Sequence, residues 1–149
     1  MADRDIEQVV DRYTPAPYRI LVTGSRDWTD RSAIHRALLN AAGSIPFTRV
    51  TVVHGAARGA DGLAHDVALK LGMMVEPHNA EWSRHGKSAG HVRNAHMVSL
   101  GADVCLAFPL GESRGTRGCM EMAERAGIPV INLGVAAPEA QPDLFGAAS

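Results

Sequence analysis

Four segments of this 149-residue chain concentrate glycine, serine and arginine: TGSRDW (23–28), HGAARGADG (54–62), HNAEWSRHGKSAG (78–90) and PLGESRGT (109–116). These residue types suit the capture of an anion. Small residues let backbone N–H groups come close to a ligand, and a helix N-terminus attracts negative charge. Arg26, Arg58, Arg93 and Arg114 can each grip a phosphate through paired N–H donors, Arg93 and Arg114 from the starts of helices. The crowding is densest in HGAARGADGLAH (54–65), where three glycines and four alanines surround one Arg and one Asp. The object expected to lie against this backbone is a nucleotide phosphate.

Other chemistries are weaker. GESRG (111–115) has the G-x-S-x-G form of a serine nucleophile turn, but the last histidine, His96, precedes Ser113, so the order of serine, acid and histidine fails. GKS (86–88) ends like a phosphate loop, yet Glu81 stands where the first glycine belongs. The seven histidines include no H-E-x-x-H pair, and Cys105 and Cys119 have no C-x-x-C partner. No metal and no cofactor is expected.

The elements that position these segments alternate. Short β-rich runs at 18–24, 49–55, 73–78, 102–110 and 128–134 are separated by helical patterns at 29–43, 60–72, 89–101 and 115–127. Asp30 or Thr29 can cap the first helix, whose inward stripe is Ile34, Ala37, Leu38 and Ala41. The second buries Leu63, Val67, Ala68 and Leu71, and the last buries Cys119, Met120, Ala123 and Ala126. This order predicts an α/β fold, a Rossmann-like, doubly wound parallel sheet with helices on both faces. In such a sheet ligands sit at the carboxyl ends of the strands, which is where all four Gly/Arg/Ser-rich segments fall.

The chain reads as one domain at 18–134, with a flexible N-terminal segment at 1–17 and a flexible C-terminal tail at 135–149. A net charge of −1 and 5% aromatic residues argue against nucleic acid held by charge and stacking. No apolar run approaches the length of a membrane span or signal core, so a cytoplasmic location and no membrane partner are expected.

The segments RILVTGSRDW, VVHGAARGADGLA, EWSRHGKSAGHVRNAHMV and AFPLGESRGT together resemble the SLOG superfamily, and within it the YspA-type branch, over residues 19–133. The second is similar to the G-x-A-x-G-x-D segment of DNA-processing protein A, a single-strand DNA binder. The fourth is similar to the P-G-G-x-G-T-x-x-E motif of Lonely Guy phosphoribohydrolases, which cleave the N-glycosidic bond of nucleoside 5′-monophosphates. The resemblance implies a Rossmann-like fold and a nucleotide or nucleotide-derived ligand such as a nucleoside monophosphate or an ADP-ribose-like molecule, with self-association as a homodimer. Carried over by position, the nucleotide-binding residues are Gly24, Ser25 and Arg26; Gly55, Gly59 and Asp61; Gly90, Arg93 and Asn94; and Gly111, Gly115 and Thr116. Arg58, Trp82 and Arg114 join them from the reading of the loops.

Hydrolysis would need a carboxylate beneath a cationic ribosyl centre and an acid for the leaving base. The candidates are Glu81, Glu121 and Asp61, with Glu112 nearby in sequence; Trp82 beside Glu81 offers a face to a base. Asp27 orients the first loop. The hydrolase glutamate position holds Cys119, and Pro-Gly-Gly is replaced by Pro109-Leu110-Gly111. Phosphate capture by amides survives these changes; the catalytic carboxylate does not. The first expectation is therefore a nucleotide-binding protein, the second a phosphoribohydrolase, the third a single-stranded DNA binder.

Overall fold

Strand β1 (Tyr18–Gly24) is apolar and buried on both faces through its middle, as a central strand of a parallel sheet must be. In the computed structural model, which describes residues 16–135, it lies third in a five-stranded sheet of order β3-β2-β1-β4-β5. The other strands are β2 (Val50–His54), β3 (Met74–Pro77), β4 (Val104–Phe108) and β5 (Val130–Asn132). Every pairing is parallel, with Ile20 opposite both Val52 and Val104. The α/β Rossmann-like architecture read from the alternation is the one observed. Residues 1–15 and 136–149, which hold most of the two terminal segments, lie outside the described residues.

Alternate strand residues feed opposite layers. Ile20, Val22, Val52 and Leu106 face α1 (Arg31–Ala42) and α2 (Ala60–Leu71) in one core. Leu21, Val53 and Cys105 face α4 (Ala89–Ser99) and α5 (Arg114–Arg125) in the other. Trp28 closes the first core edge-on against Phe108, ring centroids 5.2 Å apart. The helix ends follow local chemistry. The Asp30 carboxylate accepts from Ala33 N–H at 3.0 Å to start α1, and Gly72, left-handed at φ +87°, ends α2.

The periodicity misses small pieces. Phe47–Arg49 forms a 3-10 turn, and the stretch expected to be loop after β3 contains a short helix α3 (Trp82–His85) and a 3-10 turn at Gly86–Ser88. Ala42 is buried where Ala41 was expected, and Ala126 is exposed because it lies beyond the last turn of α5. Among the described residues no helix is long and apolar enough to cross a membrane.

The chain steps outward from β1 to β2 to β3, then returns to place β4 on the other side of β1. That reversal opens a crevice between the carboxyl ends of β1 and β4.

Candidate functional site

The first loop is fixed by its own backbone. Ser25 N–H donates to the carbonyl of Phe108 at 2.9 Å, tying the exit of β1 to the end of β4. The Ser25 carbonyl accepts from Trp28 N–H at 3.2 Å and from Ala60 N–H at 3.1 Å, so it also holds the start of α2. The Ser25 hydroxyl accepts from Asp27 N–H at 3.0 Å, which assigns the orienting role to the Asp27 amide.

The small residues of the second loop now have an internal cause. A Cβ on Gly59, itself at φ +77°, would stand 2.3 Å from the Ser25 carbonyl oxygen. One on Gly24 would stand 2.4 Å from Ala60 Cβ, and one on Gly55 would meet the Arg93 guanidinium at 2.6 Å. At these three positions the close neighbour is the protein itself. Gly115 differs: a Cβ there meets nothing within 4 Å.

Asp61, in the first turn of α2, turns back under this loop and is 5% exposed. Its Oδ2 accepts from Gly55 N–H at 3.0 Å and Ala57 N–H at 3.3 Å, while its buried Oδ1 has no partner. Burial raises its pKa from 3.8 to about 6, against the opposing pull of the Ala57 and Gly55 amides and of Arg93 and Arg26. Beside it, His54 Nδ1 accepts from Ala56 N–H at 3.0 Å, and its Nε2 lies 2.8 Å from His65 Nδ1. Burial, then the neighbouring His65, His78 and Arg93, lowers the His54 pKa to about 4, so His54 is neutral with its proton on Nε2.

Arg93 stands in the second turn of α4 rather than at its start. It reaches across to β2, donating from Nη1 to the Gly55 carbonyl and from Nε to Asn94 Oδ1 at 2.7 Å. Burial pushes its pKa down, and the Asp61 carboxylate opposes that shift. Asn94 in turn approaches the Gly115 carbonyl at 3.4 Å, linking α4 to the start of α5. There Ser113 is held in the left-handed region at φ +41°, its hydroxyl donating to Thr116 Oγ1 at 3.0 Å, and no side chain caps the helix.

These parts enclose a cavity of about 540 Å³ at the crevice. All four loops contribute. Gly24, Ser25, Arg26, Asp61, Trp82, Gly90, Arg93, Asn94, Arg114, Gly115 and Thr116 line it. Four of its residues are cationic, Arg26, Lys87, Arg93 and Arg114, against a single carboxylate, Asp61. The Arg26 guanidinium lies 5.6 Å from the centre of the Trp82 ring, and Trp82 is half exposed. Such a field suits an anion with a flat apolar part.

Several expected residues lie elsewhere. Gly55 and Arg58 line an adjoining cavity. Gly59 packs on the Ser25–Arg26 backbone. Gly111 gives its carbonyl to Arg117 Nε at 3.2 Å, outside the main cavity. Glu81 opens the one-turn helix α3, faces solvent within 3.8 Å of Arg84 and 4.0 Å of His85, and is not part of the main cavity. Glu121 follows buried Cys119 by two residues, which turns it to the exposed side of α5. Cys119 is fully buried, and desolvation raises its pKa, so the thiol stays neutral. Sequence reading missed Thr23, Lys87, His91, Met97 and Met122 on the cavity wall. The GKS tripeptide was the available signal for Lys87, although its loop is not a phosphate loop.

Comparison with known proteins bears on the family and the fold. The family described as "YspA, cpYpsA-related SLOG family" matches residues 18–85. The Gene 61 protein of Mycobacterium phage D29 is 54% identical over 121 residues, covering 78% of this chain and 96% of that protein. A solved structure of DNA processing protein A from Helicobacter pylori, described for its single-stranded DNA binding mode, has the same fold at a TM-score of 0.58 and 17% identity, covering 84% of this chain and 67% of that one. Sequence motifs, sheet order and crevice converge: the chain belongs to the YspA-related SLOG family.

Proposed function

We propose that this protein binds a nucleotide or nucleotide-derived ligand, a nucleoside monophosphate or an ADP-ribose-like molecule, in the crevice between β1 and β4. The observation that carries the reading is the cavity of about 540 Å³ with four cationic residues, one buried carboxylate and the uncapped start of α5 on its wall. Phosphate goes to the Ser113–Thr116 turn, with Arg93 and Arg114 as charge-assisted donors. Trp82 offers a ring face to the base. Asp61 Oδ1 accepts a hydrogen bond from a ligand hydroxyl or N–H, which satisfies an otherwise orphaned buried atom.

Binding is favoured over hydrolysis. Of the proposed catalytic carboxylates only Asp61 reaches the cavity, and one of its oxygens is committed to the loop amides. Single-stranded DNA is the second reading, supported by the exposed Trp82 beside Arg26 and by the likeness of fold to DNA processing protein A. A homodimer is proposed through the edge strand β5 and the segment that follows it, where Ile131, Leu133 and Val135 are exposed.

Thermal shift with a panel of nucleoside 5′-monophosphates, ADP-ribose and oligothymidylate, with chromatography of the same mixtures, tests these readings together. A bound ligand at 100 times its dissociation constant adds about 2.7 kcal/mol of stability. Stabilisation by a nucleotide without free base supports binding. Release of base and ribose phosphate favours the hydrolase. Stabilisation by oligothymidylate alone favours the strand binder.

A further inference from the structure

The cationic edge does not end at the main cavity. A second cavity of about 350 Å³ adjoins it, and Arg26, Ala57, Trp82 and Arg93 line both. Its charged residues are Arg26, Arg58 and Arg93, with no carboxylate on its wall; Asn79 adds a neutral donor and acceptor. The loop amides beneath it are already used, Gly55 and Ala57 by Asp61 and Ala56 by His54. Recognition there falls to side chains. Arg58 approaches Asp27 at 3.7 Å with both side chains largely exposed, a weak pair that an incoming anion can replace.

We propose that the ligand carries two anionic groups: one at the start of α5, the other between Arg58 and Arg93 in the adjoining cavity. Trp82, shared by both cavities, lies under the part that joins them. The chemical class is a nucleotide whose second phosphate is set off from the first by a nucleoside, as in a 5′-phosphorylated dinucleotide; in a pyrophosphate-linked nucleoside sugar the two phosphates are adjacent and the far half is neutral. A mononucleotide occupies the first cavity alone. This inference rests on the nucleotide reading above and specifies the ligand's size and charge.

Calorimetry on the full chain with AMP, ADP-ribose, 5′-phosphorylated diadenylate and oligothymidylate provides the test. 5′-Phosphorylated diadenylate is expected to bind about tenfold or more tightly than AMP, the contribution of one added charge-assisted contact, whereas ADP-ribose, whose charges are adjacent, gains no advantage that depends on Arg58. Arg58→Ala brings that ratio close to one, and Asn79→Ala lowers it less. AMP binding with no advantage for the 5′-phosphorylated dinucleotide, or an advantage that persists in Arg58→Ala, overturns the inference and leaves the nucleotide reading standing. Binding of none of the small ligands overturns both. Binding of oligothymidylate alone replaces them with a strand-binding groove.

Discussion

Asp61 is both the most costly residue of the site and its most informative one. A carboxylate whose folded pKa lies above its ordinary value favours the native state in its protonated form. Its contribution is full below pH 3.8 and is lost as pH rises through about 6. Asp61→Asn removes that dependence. Relative to the parent, the variant should gain on the order of 2–3 kcal/mol between pH 4 and pH 7, read from urea denaturation at both values; parallel stability curves would refute the assignment. Gly59 makes the opposite case, a residue chosen for backbone space. Gly59→Ala combines a left-handed φ with a Cβ 2.3 Å from a carbonyl oxygen and should cost about 2 kcal/mol or more in the same denaturation experiment. The convergence of the four loops on one edge was legible in the sequence because small and cationic residues gather at the strand exits; that Gly24, Gly55 and Gly59 serve the protein's own packing was not. Glu81 and Glu121 misled because placement around one helical turn is not written in residue type. A partner at i+3 or i+4 holds Glu81 outward, and the 100° step of α5 separates Glu121 from Cys119.

The elements carry the site by being tied across the sheet. Arg19 on β1 donates twice to Glu76 on β3, at 2.7 and 2.9 Å, and once to the Gly101 carbonyl at 2.9 Å, bridging across β2. Glu76 also meets His78 at 2.8 Å. The Arg19 guanidinium holds the Glu76 pKa at about 2, well below its ordinary 4.5. The sign is the reverse of that for Asp61: stability from this group is present above pH 4.5 and is lost as pH falls through about 2. Because Glu76 is a third exposed, Glu76→Gln should cost about 1 kcal/mol at pH 6, and the difference from the parent should shrink as the pH is lowered towards 3, measured by thermal or urea unfolding. Strands and helices were readable from period 2 and period 3.6, most securely for β1 and β4, whose continuous apolar runs are buried on both faces. The helix α3 was not readable: it is a single turn without buried residues, so no hydrophobic period marks it. Yet α3 delivers Trp82 to both cavities.

Over the whole molecule, a net charge of −1 conceals a strong local asymmetry. The carboxyl edge of the sheet gathers Arg26, Arg58, Lys87, Arg93 and Arg114 around two joined cavities, with Asp61 as the single carboxylate on either wall. Average charge was the wrong scale on which to judge an anion site, because screening confines each charge to about 10 Å at 0.1 M salt. Affinity for a nucleotide should therefore weaken as salt is raised from about 0.05 to 0.5 M, steeply for a ligand with two separate phosphates and less so for AMP with its one, as titration at several ionic strengths would show; salt-independent binding would count against the cationic edge. The interlock of the first two loops, with Gly59 seated on the Ser25–Arg26 backbone, bears on how this chain can change. Gly24 and Gly59, which build the floor, leave no room for a side chain, whereas Gly115 and the exposed Arg58 and Arg114 are open to replacement without loss of the fold. Variation selected only for folding would preserve 24 and 59 while erasing the ligand's contacts, and relatives sharing the floor can differ in what they hold.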